Sequence, residues 1–226
     1  MSKNLIIAID GPAGSGKSTL AKNLANKLSS VYVDTGAMYR AITYLALRNG
    51  IADDEAAVIE MTRGLSIELK YRDGLTHVFV NGEEVTDFIR TAEVNAKVSD
   101  ISRIPEVRAE LVKIQRRMGE ANTLVAEGRD VTTVVFPNAD IKIFLTADLD
   151  VRAERRLKEY REKGDDKITL EEVKTNLAER DKIDSGRAVS PLKKADDAFE
   201  LDSTSISVDD ELNKVLNRVE EIRDKV

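Results

Sequence analysis

The stretch LIIAIDGPAGSGKSTLAKNL, residues 5–24, contains the pattern that decides the fold. It begins with a continuous apolar run, passes through a glycine-rich loop and continues with apolar residues at helical spacing. An apolar run without alternation is typical of a central parallel strand that is buried on both faces. The stretch therefore predicts a strand over 4–10, then a loop, then a helix over 17–28.

The loop itself matches the pattern G-x-x-x-x-G-K-[ST]. Glycines let backbone N–H groups approach phosphate oxygens, and the N-terminus of the following helix adds to the same anion site. In this pattern Lys17 reaches the β- and γ-phosphates, and the Ser18 hydroxyl is a ligand for Mg²⁺. We therefore predict a site for a nucleoside triphosphate with Mg²⁺ as cofactor. The residues assigned to it are Gly11, Pro12, Ala13, Gly14, Ser15, Gly16, Lys17, Ser18 and Thr19.

The rest of the chain alternates strand-like and helix-like segments, which favours a parallel sheet with helices on both faces. Predicted strands lie at 4–10, 31–34, 123–128, 141–145 and 198–202. After the second strand we expect a turn at 35–36 and a helix from about Met38. The segment 148–166 predicts a highly charged helix with almost no apolar face, which we expect to be poorly buried. Helices are also expected from Pro105, Thr169 and Ser207.

One segment departs from this alternation and predicts a small antiparallel unit. Two runs of alternating residues, 66–71 and 76–80, flank the dipeptide Asp73-Gly74. Asp-Gly between alternating runs is a strong hairpin signal, and Asn81-Gly82 supplies a second turn. We interpret this unit as an insertion into the βα chain.

Composition limits the possible classes of function. The chain has 226 residues, no cysteine, one histidine and a net charge of −6. Without cysteine there is no disulfide, thiolate metal site or cysteine nucleophile. The acidic balance argues against a general nucleic-acid-binding protein. No apolar run approaches the roughly 20 residues that span a membrane, and the N-terminus lacks the apolar length of a signal peptide. We expect a cytoplasmic protein that binds neither nucleic acid nor membrane.

Three classes of protein share the phosphate loop. A guanine-nucleotide switch normally carries N-K-x-D and D-x-x-G, and neither occurs here. An ATPase or nucleotide-sensing module would need no phosphoryl acceptor, and Glu127 after an apolar strand is compatible with that class. A small-molecule kinase needs a second anion site, for which arginine is the natural residue. Arg129 lies at the end of a predicted strand, the edge where parallel sheets bind ligands.

Five motifs together resemble one family, the bacterial cytidylate (CMP) kinases, which are nucleoside monophosphate kinases. They are IDGPAGSGKST (9–19), DTGAMYRA (34–41), EGRDVTTVVFPNAD (127–140), ERDKIDSGRAVSPL (179–192) and LDST (201–204). The resemblance implies a P-loop NTPase-type α/β fold with a parallel sheet of five strands. It also implies an inserted monophosphate-binding domain with a small antiparallel sheet, and a short lid. We expect the core at 1–35, 107–150 and 168–226, the insertion at about 36–106 and the lid at about 151–167.

The resemblance also implies residue roles. The phosphate of CMP would be held by Thr35, Arg40, Arg129 and Arg187. The cytosine would be read by Ser99, Arg108 and Asp130, with Tyr39 close by. The sugar hydroxyl would be bound by Arg180 and Asp184, and the lid over ATP would carry Arg152, Arg155 and Arg156. The residues placed in catalysis are Lys17, Arg129, Arg187 and Arg152. One departure is Thr35, where many members have serine; both offer a hydroxyl.

The implied reaction is transfer of the γ-phosphoryl group of ATP to CMP or dCMP, giving CDP or dCDP, in line and in a closed site with Mg²⁺. Physical reasoning agrees at Asp130, because a carboxylate accepts a hydrogen bond from the exocyclic amine of cytosine. Uracil would place a second acceptor there. A kinase of another monophosphate, such as UMP, is the nearest alternative. A monomer is the family expectation.

Overall fold

The structure, a computed structural model, describes residues 4–72, 75–120, 123–162 and 164–223. Its strands are β1 (Ile6–Asp10), β2 (Val31–Asp34), β3 (Ile67–Arg72), β4 (Leu75–Val80), β5 (Glu83–Glu84), β6 (Leu124–Gly128), β7 (Ile141–Thr146) and β8 (Phe199–Asp202). Five of them form one parallel sheet in the order β2-β6-β1-β7-β8. The predicted five-stranded parallel sheet is confirmed.

Helices cover both faces of this sheet. They are α1 (Lys17–Leu28), α2 (Thr35–Arg48), α3 (Glu55–Thr62), α4 (Ala92–Ser102), α5 (Pro105–Met118), α6 (Leu149–Glu162), α7 (Leu170–Ser185) and α8 (Val208–Arg223), with a short π-helix at Val131–Val135. Pro105 occupies the first turn of α5 as predicted, since its fixed φ suits that position. Thr169 and Glu172 form the predicted capping box of α7. Within the described ranges, no helix is long and apolar enough to cross a membrane.

The central strand β1 is buried on both faces, which explains its uninterrupted apolar sequence. Ile7 and Ile9 pack in a core with Leu20 of α1 and Val215 of α8. Ala8 faces the opposite way, into a second core with residues of β2, β6 and the π-helix. Because all five strands run in parallel, their carboxyl ends meet at one edge of the sheet.

The antiparallel hairpin is also confirmed. β3 pairs with β4, and β4 pairs with β5. The predicted turn Asp73-Gly74 lies outside the described residues. At the second turn Asn81 and Gly82 have φ of 51° and 83°, the left-handed conformation that favours these residue types. Val78 and Val80 of this unit pack in a separate core with residues of α2, α4 and α5.

The predicted turn at 35–36 is wrong, because α2 begins at Thr35 instead of near Met38. Asp34 is the N-cap, and its carboxylate accepts a hydrogen bond from the Ala37 backbone N–H at 2.9 Å. An aspartate cap allows the helix to start directly at the end of the strand, despite Gly36 in its first turn. The residues after β2 are therefore held in helical geometry.

The expectation that the charged helix is poorly buried is also wrong. In α6, Ala153 is fully buried and Leu157 nearly so, and both pack with Val173 and Leu177 of α7. Leu149 extends the same contact. Apolar residues spaced four apart lie on one face of a helix, so a narrow stripe suffices to bury it against a single partner helix.

Candidate active site

A cleft opens at the carboxyl edge of the parallel sheet, lined by residues from the ends of β2 and β6, from the loop after β1 and from the surrounding helices. It contains every residue assigned to CMP from the sequence: Thr35, Tyr39, Arg40, Ser99, Arg108, Arg129, Asp130, Arg180, Asp184 and Arg187. From the nucleotide set it contains Ala13, Gly14, Lys17, Ser18 and Arg156. The remaining assigned residues, which do not line it, are Gly11, Pro12, Ser15, Gly16, Thr19, Arg152 and Arg155.

The phosphate loop connects β1 to the N-terminus of α1. Gly14 and Gly16 have φ of 77° and 96°, a conformation that side chains rarely adopt. Gly11 approaches β7 so closely that a Cβ there would lie 1.9 Å from the Leu145 carbonyl oxygen. Glycine is therefore required for the loop to turn at these points and present its N–H groups.

Lys17 is almost fully buried beside this loop. Its Nζ donates to the Pro12 carbonyl oxygen at 2.7 Å. Burial, and next the neighbouring Arg129 guanidinium, lower the pKa of Lys17 to about 7. A lysine in this state is poised to gain positive charge when a polyanion arrives.

This pKa leads to a prediction for binding. Triphosphate oxygens favour the charged ammonium, so binding should raise the pKa of Lys17 and take up a proton. Above pH 7 the affinity for ATP should then fall by up to about tenfold per pH unit. Calorimetry at pH 8 in two buffers of different ionisation enthalpy should reveal uptake approaching one proton. The uptake should vanish in Lys17→Met and persist in Lys27→Met, an exposed lysine of the same helix. Equal heats in both buffers for the unmodified protein would contradict this.

Asp184 joins two of the arginines in the cleft. Its two carboxylate oxygens accept from Arg129 Nε at 2.8 Å and from Arg187 Nη2 at 2.5 Å. Burial alone would raise the pKa of Asp184, but the two guanidinium groups outweigh it and lower the pKa. The carboxylate therefore stays ionised and fixes both arginines at the cleft wall.

A second buried ion pair in the cleft joins Arg108 of α5 and Asp130. Arg108 donates from Nη2 to the Asp130 carboxylate at 2.5 Å and from Nη1 to the Ser102 carbonyl oxygen at 2.8 Å. Its guanidinium lies 5.1 Å from the centre of the Tyr39 ring. Burial alone would lower the pKa of Arg108, but Tyr39 and Asp130 outweigh it and raise the pKa. The pair is thus a rigid polar surface in the cleft.

Two further arginines carry charge that the protein does not fully neutralise. Burial, and next the nearby arginines, lower the pKa of Arg40 to about 9 and that of Arg180 to about 10. Arg40 donates to Asn95 Oδ1, a neutral acceptor, at 2.5 Å. Positive charge held in this way favours an anionic ligand between these side chains.

Comparison with known proteins identifies the family of this chain. The model of the family described as cytidylate kinase matches residues 7–221. The chain belongs to the cytidylate kinase family. It is 48% identical to a cytidylate kinase of Geobacillus sp. (strain WCH70) over 98% of this chain and 99% of that one. It is 47% identical to the cytidylate kinase of Bacillus cereus (strain ATCC 10987 / NRS 248) over 97% of each chain.

One solved structure is similar to this chain in fold. An uncharacterized protein from Eubacterium ventriosum ATCC 27560 has a TM-score of 0.53 with 13% sequence identity, over 97% of this chain and 99% of that one. At that identity the likeness concerns the fold alone. The sequence resemblance to the cytidylate kinases is confirmed, and the family membership makes the chain an enzyme that transfers phosphoryl groups.

The residues around Ser18 fit the Mg²⁺ ion that a cytidylate kinase would use. The Ser18 hydroxyl is hydrogen-bonded to the buried carboxyl of Glu127, which also accepts from the Tyr32 hydroxyl at 2.7 Å. Burial, and next the nearby Asp34, raise the pKa of Glu127. A divalent cation would relieve that cost, and Mg²⁺ prefers one or two carboxylates together with phosphate oxygens.

Two residues were not found by sequence analysis: Arg90, which lines the cleft, and Asp181, which contacts the phosphate loop. Arg90, from the loop before α4, donates to Asp34 Oδ2 at 2.9 Å. Asp181 accepts from the Ala13 backbone N–H at 3.2 Å and from Arg152 Nη1 at 2.6 Å, and so connects α7 to the phosphate loop. Asp181 lies within the motif ERDKIDSGRAVSPL, so the family resemblance already pointed to its segment. Nothing in the sequence around Arg90 marks it.

Two arginines assigned to the lid have structural partners in this conformation. Besides Asp181, Arg152 donates to the carbonyl oxygens of Ala13 and Ala147, both at 2.9 Å. Arg155 donates to the Ser203 hydroxyl at 3.0 Å and the Ser203 carbonyl oxygen at 2.7 Å. The structure thus places Arg156, but neither Arg152 nor Arg155, on the cleft wall.

Proposed function

We propose that this cytidylate kinase family member transfers the γ-phosphoryl group of ATP to CMP or dCMP, giving CDP or dCDP. The observation that carries the proposal is that the phosphate loop and a group of arginines line one cleft, an arrangement suited to two anion sites. The phosphate loop with Lys17 forms the first, and the arginines at 40, 129, 180 and 187 form the second. Two polyanions can react in line only if their mutual repulsion is neutralised and both are held in place.

In this proposal ATP binds the phosphate loop and CMP binds beneath the inserted hairpin and helices. The protein's own groups supply positioning and charge. Lys17 contacts the transferred phosphate, and Arg129 and Arg187 stabilise charge on the phosphates of both substrates. Ser18 and Glu127 would hold Mg²⁺, which neutralises phosphate charge when bound. No general base is needed, because a monophosphate oxygen is largely ionised at neutral pH.

The proposed division of labour follows the chain. The core at 1–35, 107–150 and 168–226 would carry ATP, the insertion at about 36–106 would close over CMP, and the segment 151–167 would act as a lid that carries Arg152, Arg155 and Arg156. Closure would exclude water, so that the acceptor oxygen attacks the γ-phosphorus and hydrolysis is suppressed. The cytoplasmic location and the monomeric state stay predictions.

The proposal is tested by ADP release from ATP and Mg²⁺ with CMP, dCMP, UMP, AMP and GMP supplied separately. We expect CMP and dCMP to stimulate release far more than the other three. If UMP stimulates release as strongly as CMP, the protein is still a kinase, but its site does not strictly select cytosine over uracil. Two results would instead favour an ATPase or a nucleotide-sensing module. One is ADP release in the absence of any monophosphate, and the other is failure of all five monophosphates to stimulate release.

A further inference from the structure

Asp10 is a buried carboxylate to which none of the roles above has been given. It is the last residue of β1, directly before the first glycine of the phosphate loop, and it is fully buried. Strand pairing of β1 with β6 and β7 uses the backbone alone and does not require a charged side chain. A buried carboxylate is costly unless hydrogen bonds stabilise it, and burial raises the pKa of Asp10 to about 6. The cost of burying this carboxylate suggests that its hydrogen bonds serve a specific role.

Within the part of the chain that the structure describes, the hydrogen bonds of its side chain all go to a segment more than a hundred residues away in sequence. Oδ1 accepts from the Val131 backbone N–H at 2.9 Å. Oδ2 accepts from the Thr132 backbone N–H at 2.7 Å and from the Thr132 hydroxyl at 2.6 Å. These are the first two N–H groups of the π-helix, which have no acceptor within a helix of that type. Asp10 therefore caps the π-helix from a neighbouring strand.

The capped segment begins one residue after the pair Arg129 and Asp130. Those two residues face the proposed acceptor, and the residue after Asp10 starts the loop for the proposed donor. A single side chain thus connects the backbone of the donor loop to the backbone of the acceptor loop. Because in-line transfer depends on the distance between the two bound phosphates, this connection has a direct consequence for the reaction.

We propose that Asp10 is a positioning residue that holds the loop carrying Arg129 and Asp130 in register with the phosphate loop. The assignment rests on the proposed function. Loss of the carboxylate should leave the backbone of the phosphate loop intact, since Asp10 has no side-chain hydrogen bond to that loop among the contacts above. The Asp10 charge does help to raise the pKa of Lys17, so a smaller loss of ATP affinity should accompany the main effect. That main effect should appear at the acceptor, as a higher KM for CMP and a lower kcat.

The test compares Asp10→Asn with Asp140→Asn. Asp140 Oδ2 accepts from the Ile6 backbone N–H at 2.9 Å, so it performs a similar task at the opposite end of the same strand. We expect D10N to lower kcat/KM for CMP by about 100-fold through both KM and kcat, because small displacements of reacting groups have effects of this size. The Kd for ATP, measured by calorimetry, should rise far less than the KM for CMP, by the amount that a lower pKa of Lys17 produces. D140N should lower the melting temperature and leave both constants near their unmodified values.

Each result decides one of the two assignments. If the unmodified protein is not stimulated by CMP, the proposed function fails. If it is stimulated and D10N keeps the KM and kcat for CMP, Asp10 has only a structural role and the inference is overturned. Should D10N not fold, Thr132→Val removes one of the three donors with little change in shape. That variant should raise the KM for CMP several-fold, Thr132→Ser should restore it, and an unchanged KM in T132V would equally overturn the inference.

Discussion

Replacement of Arg129 with alanine is expected to lower kcat with CMP by about 100- to 1000-fold, the loss typical of removing one charged donor from a transferring group. Arg129 lines the cleft after β6, where its Nε donates to Asp184 at 2.8 Å and its Nη1 to the Gly128 carbonyl oxygen at 3.2 Å. In the proposed function ATP binds the phosphate loop, whose N–H groups the substitution leaves untouched. Removing the Arg129 charge also raises the pKa of Lys17, so the Kd for ATP should not rise, in contrast to the large loss in kcat.

The measurement is kcat and KM for CMP by coupled ADP detection, together with the Kd for ATP by calorimetry. Arg218→Ala is the matched control, since Arg218 is an exposed arginine on α8 that pairs with Glu221. Arg129→Lys separates charge from geometry: it should recover only part of the activity, because lysine lacks the planar fork of arginine. An unchanged kcat/KM for CMP in R129A would show that Arg129 has no role in the reaction.

The phosphate loop could be predicted from sequence because its information is local. The strand, the glycines, the lysine and the helix follow one another within 5–28, so the whole pattern can be recognised in one continuous stretch. The same holds for the end of β6, where an apolar strand runs directly into Gly128 and Arg129. Residue roles in the second anion site came from the family resemblance, and the structure brings all of those residues to one cleft.

Contacts between distant segments could not be predicted in the same way. Arg90 meets Asp34 across 56 positions, and Asp10 meets Thr132 across 122. Such pairings depend on how the sheet orders its strands and how the insertion packs over it. The burial of α6 was predicted wrongly for a related reason. Three apolar residues in a charged sequence appear too few to bury a helix, but they suffice because α6 packs them against the single helix α7.

The second large effect is expected on base selectivity when Asp130 is replaced with asparagine. A carboxylate offers only acceptors, which suit the 4-amino group of cytosine and oppose the 4-carbonyl of uracil. The carboxamide offers one acceptor and one donor, so it can serve either base. We expect the ratio of kcat/KM for CMP to that for UMP to fall by about 10- to 100-fold, since a base contact of this kind is worth roughly 1–3 kcal/mol.

Asp130 is also the buried partner of Arg108, so a loss of stability must be separated from a loss of selectivity. Removing one member of a buried ion pair can cost about 3–5 kcal/mol, although the asparagine oxygen can still accept from Arg108 and should reduce that cost. A melting curve and assays well below the melting temperature control for this, with Asp209→Asn as an exposed match. A fall in stability lowers both kcat/KM values together, whereas a change in base reading alters their ratio. If D130N weakens CMP and UMP equally, Asp130 serves only to hold Arg108, and cytosine selectivity must come from other groups in the cleft.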